Sequence, residues 1–96
     1  MRTQYVVTYD ICDPKRLRAV FLIMKGFGDH MQLSVFRCDL TASEVIDLKA
    51  QLADAIHHGA DQVLFFNLGP SDGRAKDCIS AVGRPPLPVV RGPVVV

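Results

Sequence analysis

The chain has 96 residues and a formal net charge of +1, with 49% hydrophobic and 22% charged residues. This composition is typical of a globular domain and excludes a disordered segment, and the length suffices for one domain of the size at which dimerisation often adds burial. Because the charge is nearly balanced, an argument for nucleic-acid binding has to rest on local clusters of cations.

Two further features of the sequence bear on where the protein works. No apolar run approaches the roughly 20 residues of a membrane span, and the opening Met-Arg-Thr-Gln has no signal-peptide pattern. We therefore expect a cytoplasmic protein without a membrane partner. Cys12, Cys38 and Cys78 are odd in number and far apart, so we expect reduced, partly buried thiols instead of disulfides or a zinc knuckle.

The stretch from Gln4 to Asp13 predicts a buried central strand with an acid at its end. Its β-branched and aromatic residues suit a packed sheet. Asp13 and Pro14 then predict the cap and first turn of a helix, which places Asp10 where sheet passes into helix. Two interpretations of Asp10 are open: it accepts backbone N–H bonds in the turn, or it holds a hard cation such as Mg²⁺.

The following segment, residues 14–25, predicts a helix with cations in its first turns. Lys15, Arg16 and Arg18 lie near the positive end of the helix dipole, where acids are favoured. They form either a solvated basic face or, beside Asp10, a grip on a phosphodiester. The apolar stripe of this helix is Leu17, Val20, Phe21 and Met24.

Residues 29–40 predict extended structure, either one bent strand or a tight hairpin near Gln32 to Ser34. The sequence alone leaves both arrangements open. Gln32 and Ser34 offer polar groups to the surface that carries Asp10. The expected core residues of this stretch are Leu33, Val35 and Phe36.

A capping box opens a second helix, because Thr41 and Glu44 are spaced to satisfy each other's free N–H groups. His57 and His58 are expected in its last turn, where imidazoles suit the negative end of the dipole. The apolar stripe is Val45, Leu48, Leu52 and Ile56.

The remainder of the chain predicts a buried strand at residues 62–68, a turn at 69–73 and one more short strand at 78–82. The Pro-rich segment that follows predicts an extended connector. Val94 to Val96 suit an edge strand added to another protomer's sheet. We thus expect a domain over residues 1–83, and a connector with a C-terminal strand over residues 84–96.

This order of elements predicts an α+β ferredoxin-like βαββαβ sandwich with an extra C-terminal strand. Because that fold hosts many functions, the motifs carry the functional argument. They are Tyr-Val-Val-Thr-Tyr-Asp-Ile, Asp-Pro-Lys-Arg-Leu-Arg, Gly-Phe-Gly, Gln-Leu-Ser-Val-Phe-Arg-Cys and the closing Gly-Pro-Val-Val-Val. Together they resemble CRISPR-associated protein two, the small partner of the spacer integrase, over essentially the whole chain.

The resemblance implies a homodimer in which each C-terminal strand joins the other protomer's sheet. It implies that Asp10 is the catalytic and metal-binding acid, with one Mg²⁺ held between the two copies of Asp10. It matches Arg16 and Arg18 to the family's basic positions, beside which Lys15 adds a third cation for nucleic acid. The positions near the same site are Tyr9, Ser34 and Phe36.

The function implied is that of a Mg²⁺-dependent endonuclease on single-stranded RNA or duplex DNA, acting in spacer acquisition with the integrase. The alternative is a non-catalytic dimeric scaffold that bridges integrase subunits and binds the DNA backbone. A toxin-like messenger RNA nuclease of related fold and a small-molecule-sensing domain of similar topology are further hypotheses. The scaffold would contact phosphates through Arg2, Lys15, Arg16, Arg18, Arg74 and Arg84.

Overall fold

The computed structural model describes residues 1–85 of the chain. In this part, two helices and a short 3₁₀ helix alternate with four strands. In chain order the elements are β1 (Thr3–Asp10), α1 (Pro14–Lys25), β2 (Gly28–Gln32), β3 (Val35–Leu40), α2 (Ala42–Ala55), β4 (Gln62–Pro70) and the 3₁₀ helix (Arg74–Asp77).

The four strands form one antiparallel sheet in the order β2-β3-β1-β4. Strand β1 is central because β3 pairs along one side of it and β4 along the other. Each helix crosses over a neighbouring strand, which gives the split βαβ arrangement of a ferredoxin-like α+β fold. The fold predicted from the sequence is thereby confirmed.

Both helices begin at the caps that the sequence predicts. The Asp13 side chain accepts the Arg16 backbone N–H at 2.9 Å, and Pro14 occupies the first turn of α1. At α2 the Thr41 hydroxyl accepts from the Glu44 backbone at 3.2 Å, while the Glu44 carboxylate accepts from the Thr41 backbone at 2.8 Å. These local contacts are why the chain leaves the sheet at these points.

The core lies between the two helices and one face of the sheet. Strand residues alternate between faces, and the β1 side chains Val7 and Tyr9 are buried against this core. Cys38 is buried as well, and its burial, with a smaller contribution from the charge of Asp29, raises the pKa of its thiol to about 12. The other buried members are Val20, Met24, Phe36, Leu40, Leu48 and Leu52.

The opposite face of the sheet is not covered by either described helix, and we call it the open sheet face. Cross-strand pairing and alternation place Val6 beside Phe66, Thr8 beside Leu64, and Asp10 beside Gln62 on this face. Leu64 is 43% exposed and Phe66 is 50% exposed. The open sheet face therefore presents large apolar side chains next to Asp10.

Residues 29–40 form a hairpin, not one bent strand. Strand β2 ends at Gln32 and β3 begins at Val35, so Leu33 and Ser34 make the turn between them. Leu33 is 90% exposed, and the prediction that it belongs to the core is wrong. Its place at the tip of the turn carries its side chain beyond the end of the sheet, whereas Phe36 is fully buried as expected.

Two predicted boundaries and one predicted strand in the second half of the chain are also wrong. Helix α2 ends at Ala55, before His57, because the His57 N–H bonds to a buried carboxylate of the following loop. The predicted turn begins later, since β4 extends to Pro70, which pairs with Thr3. No strand forms at residues 78–82, because Cys78 caps the 3₁₀ helix and the chain after it is irregular.

The three thiols are free, as expected, but Cys12 and Cys78 are exposed where partial burial was predicted. No helix among residues 1–85 combines the length and apolar character needed to cross a bilayer. The predicted C-terminal strand lies at residues 86–96, outside the described part, so it and the division of the chain at residues 83 and 84 stay predictions.

Candidate metal and nucleic-acid site

Asp10 is the last residue of the central strand, and it is exposed. Its carboxylate makes no hydrogen bond or ion pair with any residue from 1 to 85, so the interpretation that it stabilises the turn has no support there. Asp13 performs that local role instead, by capping α1. An exposed carboxylate that the fold does not use is available to a ligand.

The donor set at this position suits a hard cation that keeps most of its water. Mg²⁺ takes oxygen ligands and is usually bound by one or two carboxylates together with water or phosphate. Asp10 supplies one such carboxylate, and residues 1–85 contain no group of three or more acidic, histidine or cysteine side chains that could enclose a metal. The residues present fit a Mg²⁺ held by few protein ligands and do not fit a closed protein cage.

Two cations, Lys15 and Arg18, lie on the first turns of α1, the helix that follows Asp10 in the chain. Lys15 and Arg18 are exposed, and neither has an ion-pair partner within residues 1–85. Only residues 11–13 separate the end of β1 from the start of their helix. The start of α1, which carries Lys15 and Arg18, therefore lies at the end of β1 where Asp10 is.

Arg16 differs from its two neighbours because its guanidinium is already engaged. Its Nε lies 2.7 Å from Oδ2 of Asp61, and its Nη2 lies 3.2 Å from Oδ1 of the same carboxylate. Such a bidentate pair is among the stronger protein interactions. Arg16 therefore differs from Lys15 and Arg18 in having an ion-pair partner. Its predicted role in binding nucleic acid stays a prediction.

Asp61 is the residue at this site that the sequence did not reveal. Its side chain is fully buried, and its two oxygens also accept the backbone N–H of Cys12 at 3.0 Å and of His57 at 2.8 Å. The guanidinium of Arg16, followed by these two N–H groups, holds the pKa of Asp61 well below its usual range. One carboxylate thereby joins α1, the β1–α1 loop and the end of α2.

The remaining residues predicted near the site lie mostly beneath it. Phe36 is buried, and its ring stacks on Tyr9 with centroids 6.2 Å apart and on His30 at 4.8 Å. The Tyr9 hydroxyl donates to the Leu33 carbonyl at 3.4 Å, and burial raises the pKa of Tyr9. Ser34 contributes its backbone carbonyl, which accepts the Tyr9 N–H at 3.1 Å. The side chains of Tyr9 and Phe36 thus pack on the helix side of the sheet, and the Ser34 backbone bonds to the end of β1.

The depressed pKa of Asp61 predicts an acid dependence of stability. Because the folded pKa lies below the unfolded value of about 3.9, the contribution of Asp61 is present above that value and is lost as the pH falls through the folded pKa. We expect Asp61→Asn to lower the melting temperature at pH 7 by at least about 5 °C. In thermal melts from pH 7 to pH 2 the difference between the two proteins should narrow below about pH 4, because the unfolded wild type takes up a proton at Asp61 that the folded protein still resists.

Asp54→Asn is the control for this measurement, because Asp54 is an exposed acid of α2. It removes the same charge without touching the network. Its melting curve should follow the wild type at every pH. Parallel curves for the wild type and Asp61→Asn down to pH 2 would contradict the assignment.

The fold and site together define a small ferredoxin-like protein in which, within residues 1–85, the central strand ends in an unpaired carboxylate and the next helix begins with two unpaired cations. A family model described as CRISPR associated protein Cas2 matches residues 2–74. The chain belongs to this family.

Relatives and solved structures agree with that assignment. The chain is 38% identical to the CRISPR-associated endoribonuclease Cas2 of Geobacter sulfurreducens, with all of both chains covered. It is 48% identical to CRISPR-associated endoribonuclease Cas2 1 of Rhodospirillum rubrum over 71% of this chain and 67% of the relative. The structure of Streptococcus pyogenes Cas2 at pH 6.5 aligns with a TM-score of 0.72 and 32% identity, covering 83% of this chain and 99% of that one. The similarity extends through the whole described fold.

Proposed function

We propose that this protein is a Mg²⁺-dependent endonuclease on single-stranded RNA or duplex DNA that acts with the spacer integrase in CRISPR adaptation. The observation that carries the proposal is the exposed carboxylate of Asp10, which ends the central strand and has no partner within residues 1–85. The endoribonuclease names of the relatives from Geobacter sulfurreducens and Rhodospirillum rubrum support it.

In this proposal each residue of the site has a separate task. Asp10 holds Mg²⁺, which when bound would act as a Lewis acid on the phosphate and favour deprotonation of a water. Lys15 and Arg18 bind the phosphate backbone and offset its charge. Asp61, paired with Arg16, holds the β1–α1 loop through the backbone N–H of Cys12. In this proposal the attacking water gives its proton to solvent.

The working form in this proposal is a homodimer, with the open sheet face as the interface. Leu64 and Phe66 are large apolar side chains that are exposed on this face. Exposed apolar patches commonly mark surfaces where proteins associate. The acid at this position also suits a second copy. A cation bound between the two Asp10 side chains of a dimer would have two carboxylate ligands, where one chain supplies only one. Burying this face against another protomer would add the core that a chain of this length needs.

Phe66→Glu tests the interface. A charge placed at the centre of an apolar contact is expected to weaken dimerisation by about 30-fold or more, as measured by sedimentation equilibrium. Leu22→Glu is the matched control, since Leu22 is 54% exposed on α1, which packs on the other face of the sheet. If both variants remain as dimeric as the wild type, the open sheet face is not the interface.

The cations of α1 are tested by the salt dependence of binding. For each phosphate contact removed, the slope of log affinity against log salt should fall by about 0.9 on duplex DNA or about 0.7 on a single strand. We expect this change for Lys15→Gln and for Arg18→Gln. Lys76→Gln is the control, because Lys76 follows the far end of β4. A slope that moves only in the control would place the nucleic acid elsewhere.

A non-catalytic scaffold is the second candidate function. It is favoured by the single carboxylate per chain, since residues 1–85 hold no larger cluster of metal ligands around Asp10. The unpaired Lys15 and Arg18 would then bind duplex DNA while the dimer bridges two integrase subunits. This role uses the same two cations, Lys15 and Arg18, and does not require hydrolysis of the nucleic acid.

The two functions are separated by incubating the full chain with labelled single-stranded RNA and with duplex DNA, each with Mg²⁺ or with EDTA. The nuclease predicts cleavage that needs Mg²⁺ and identifies the preferred substrate by the same gel. The scaffold predicts salt-sensitive binding of duplex DNA, capture of the integrase, and no Mg²⁺-dependent product on either substrate. Cleavage that persists in EDTA would contradict the metal-dependent mechanism.

A further inference from the structure

The Asp61 carboxylate connects three separate segments of the chain through its hydrogen bonds. Its Oδ1 accepts from Cys12 N–H and Arg16 Nη2, and its Oδ2 accepts from Arg16 Nε and His57 N–H. These four bonds use all the favourable acceptor positions of an ionised carboxylate. The side chain is fully buried, so water does not replace any of them.

One of these bonds and one strand pairing connect the segment around Asp61 to the backbone near Asp10. Cys12 is two residues beyond Asp10, and its N–H is held by Asp61 at 3.0 Å. Gln62, the neighbour of Asp61, pairs with Asp10 across the sheet. The Cys12 thiol adds a contact of 3.1 Å to the Ala60 carbonyl. The backbone on either side of the β1–α1 junction is therefore tied to the segment around Asp61.

Arg16 completes the same connection from the helix. Its Nε and Nη2 both bond to Asp61, and these two bonds link the first turn of α1 to the loop before β4. Its side chain is 31% exposed, which leaves less of it accessible than the free cations Lys15 and Arg18. Its contacts are those of a residue that holds the loop.

We propose that Asp61 and Arg16 are a positioning pair that fixes the β1–α1 loop and so orients the Asp10 carboxylate for Mg²⁺. This inference rests on the proposed function, because it assigns the pair to the metal site. A carboxylate is required at position 61. An asparagine would turn an NH₂ group toward Arg16 Nε and His57 N–H, both of which are donors. Arg16 is correspondingly assigned to the loop and not to the phosphate.

The test compares wild type, Asp61→Asn, Arg16→Lys and the double variant Asp61→Asn/Arg16→Gln. Mg²⁺ alone is titrated while the backbone amide signals of residues 10–12 are followed by NMR, and hydrogen exchange is measured at Cys12. Asp10→Asn identifies which shifts report metal at Asp10, and Asp54→Asn controls for removal of one negative charge. Arg16→Lys keeps the charge but cannot reproduce the two-nitrogen contact, and it serves if Asp61→Asn does not fold.

We expect faster exchange of the Cys12 amide and a Mg²⁺ affinity about 10-fold weaker in Asp61→Asn and Arg16→Lys. The double variant restores the net charge of the pair. Its Mg²⁺ affinity should nevertheless remain low, because the loss of affinity comes from the altered geometry of the loop and not from charge. The salt slope of nucleic-acid binding should be the same in the double variant as in the wild type, because the Arg16 charge that it removes contacts no phosphate. A purely structural role would lower the melting temperature while leaving the Mg²⁺ affinity of the folded protein at the wild-type value.

Two results would overturn the inference: unchanged Cys12 exchange in Asp61→Asn, or wild-type Mg²⁺ affinity in variants whose Cys12 exchange has accelerated. Failure of the proposed function looks different. In that case wild type itself shows no Mg²⁺-dependent shift at residues 10–12, and the assignment of the pair to a metal site falls with it. The exchange data then still report whether Asp61 holds the loop.

Discussion

Asp10→Asn is expected to lower Mg²⁺-dependent cleavage by at least about 100-fold while leaving the fold intact. A bound metal contributes several kcal/mol to stabilising the transition state. Because each 1.36 kcal/mol corresponds to a tenfold change in rate, losing the carboxylate that holds the metal should slow cleavage by at least about 100-fold. The amide keeps the size of the carboxylate and loses its charge. Cleavage of labelled RNA and duplex DNA over a range of Mg²⁺ concentrations measures the effect.

The melting temperature of Asp10→Asn distinguishes a lost ligand from a damaged fold. Because the Asp10 side chain makes no bond within residues 1–85, we expect the melting temperature to stay within about 3 °C of wild type. Asp54→Asn, purified identically, should cleave at the wild-type rate. Equal cleavage by wild type and Asp10→Asn would mean that the activity does not arise from this site.

Phe36→Ala has the largest expected effect on stability. Phe36 is fully buried, and its ring contacts those of Tyr9, Phe21 and His30. Truncating a buried phenylalanine costs about 3–5 kcal/mol, because the removed contacts leave a cavity. For a domain of this size the melting temperature should fall by about 15 °C or more, or the protein should not fold. Thermal melts by circular dichroism measure the change.

Phe36→Leu separates a core role from a role at the site. Leucine keeps most of the apolar volume, so a smaller loss of about 1–2 kcal/mol is expected. If Phe36 acts only through packing, the folded fraction of Phe36→Leu cleaves and binds nucleic acid at wild-type levels. A stable Phe36→Leu variant that has lost nucleic-acid binding would instead assign Phe36 to the site.

The order of elements was predictable because its signals are local. The apolar run of β1, the Asp13 cap and the Thr41–Glu44 capping box each lie within a few residues, and the structure has all of them. The errors fall where longer-range contacts decide. Leu33 looks like a core residue until the hairpin places it in the turn, and α2 ends early because a carboxylate in the next loop takes the His57 N–H.

The place of Asp10 at the end of β1 was predictable, whereas the contacts around it were predictable only in part. Its position at the end of a strand follows from the sequence, whereas the contact between Arg16 and Asp61 joins residues 45 positions apart that share no motif. One signal did exist, since three cations in the first turns of α1 conflict with the helix dipole. Asp61 relieves that conflict for Arg16, and a search for a buried acid to match it could have found the pair.

The central position of β1 has a consequence for how the protein is made. One of its neighbours is β4, so Asp10 pairs with Gln62, which is synthesised 52 residues later. At about 5–20 residues per second, the first strand waits several seconds for that partner. Contacts between distant residues also form slowly, because the intervening chain must first be closed into a loop. The Asp10 edge is therefore completed only after β4 has been synthesised, and a nascent chain that lacks β4 would not have the proposed metal site in its final form.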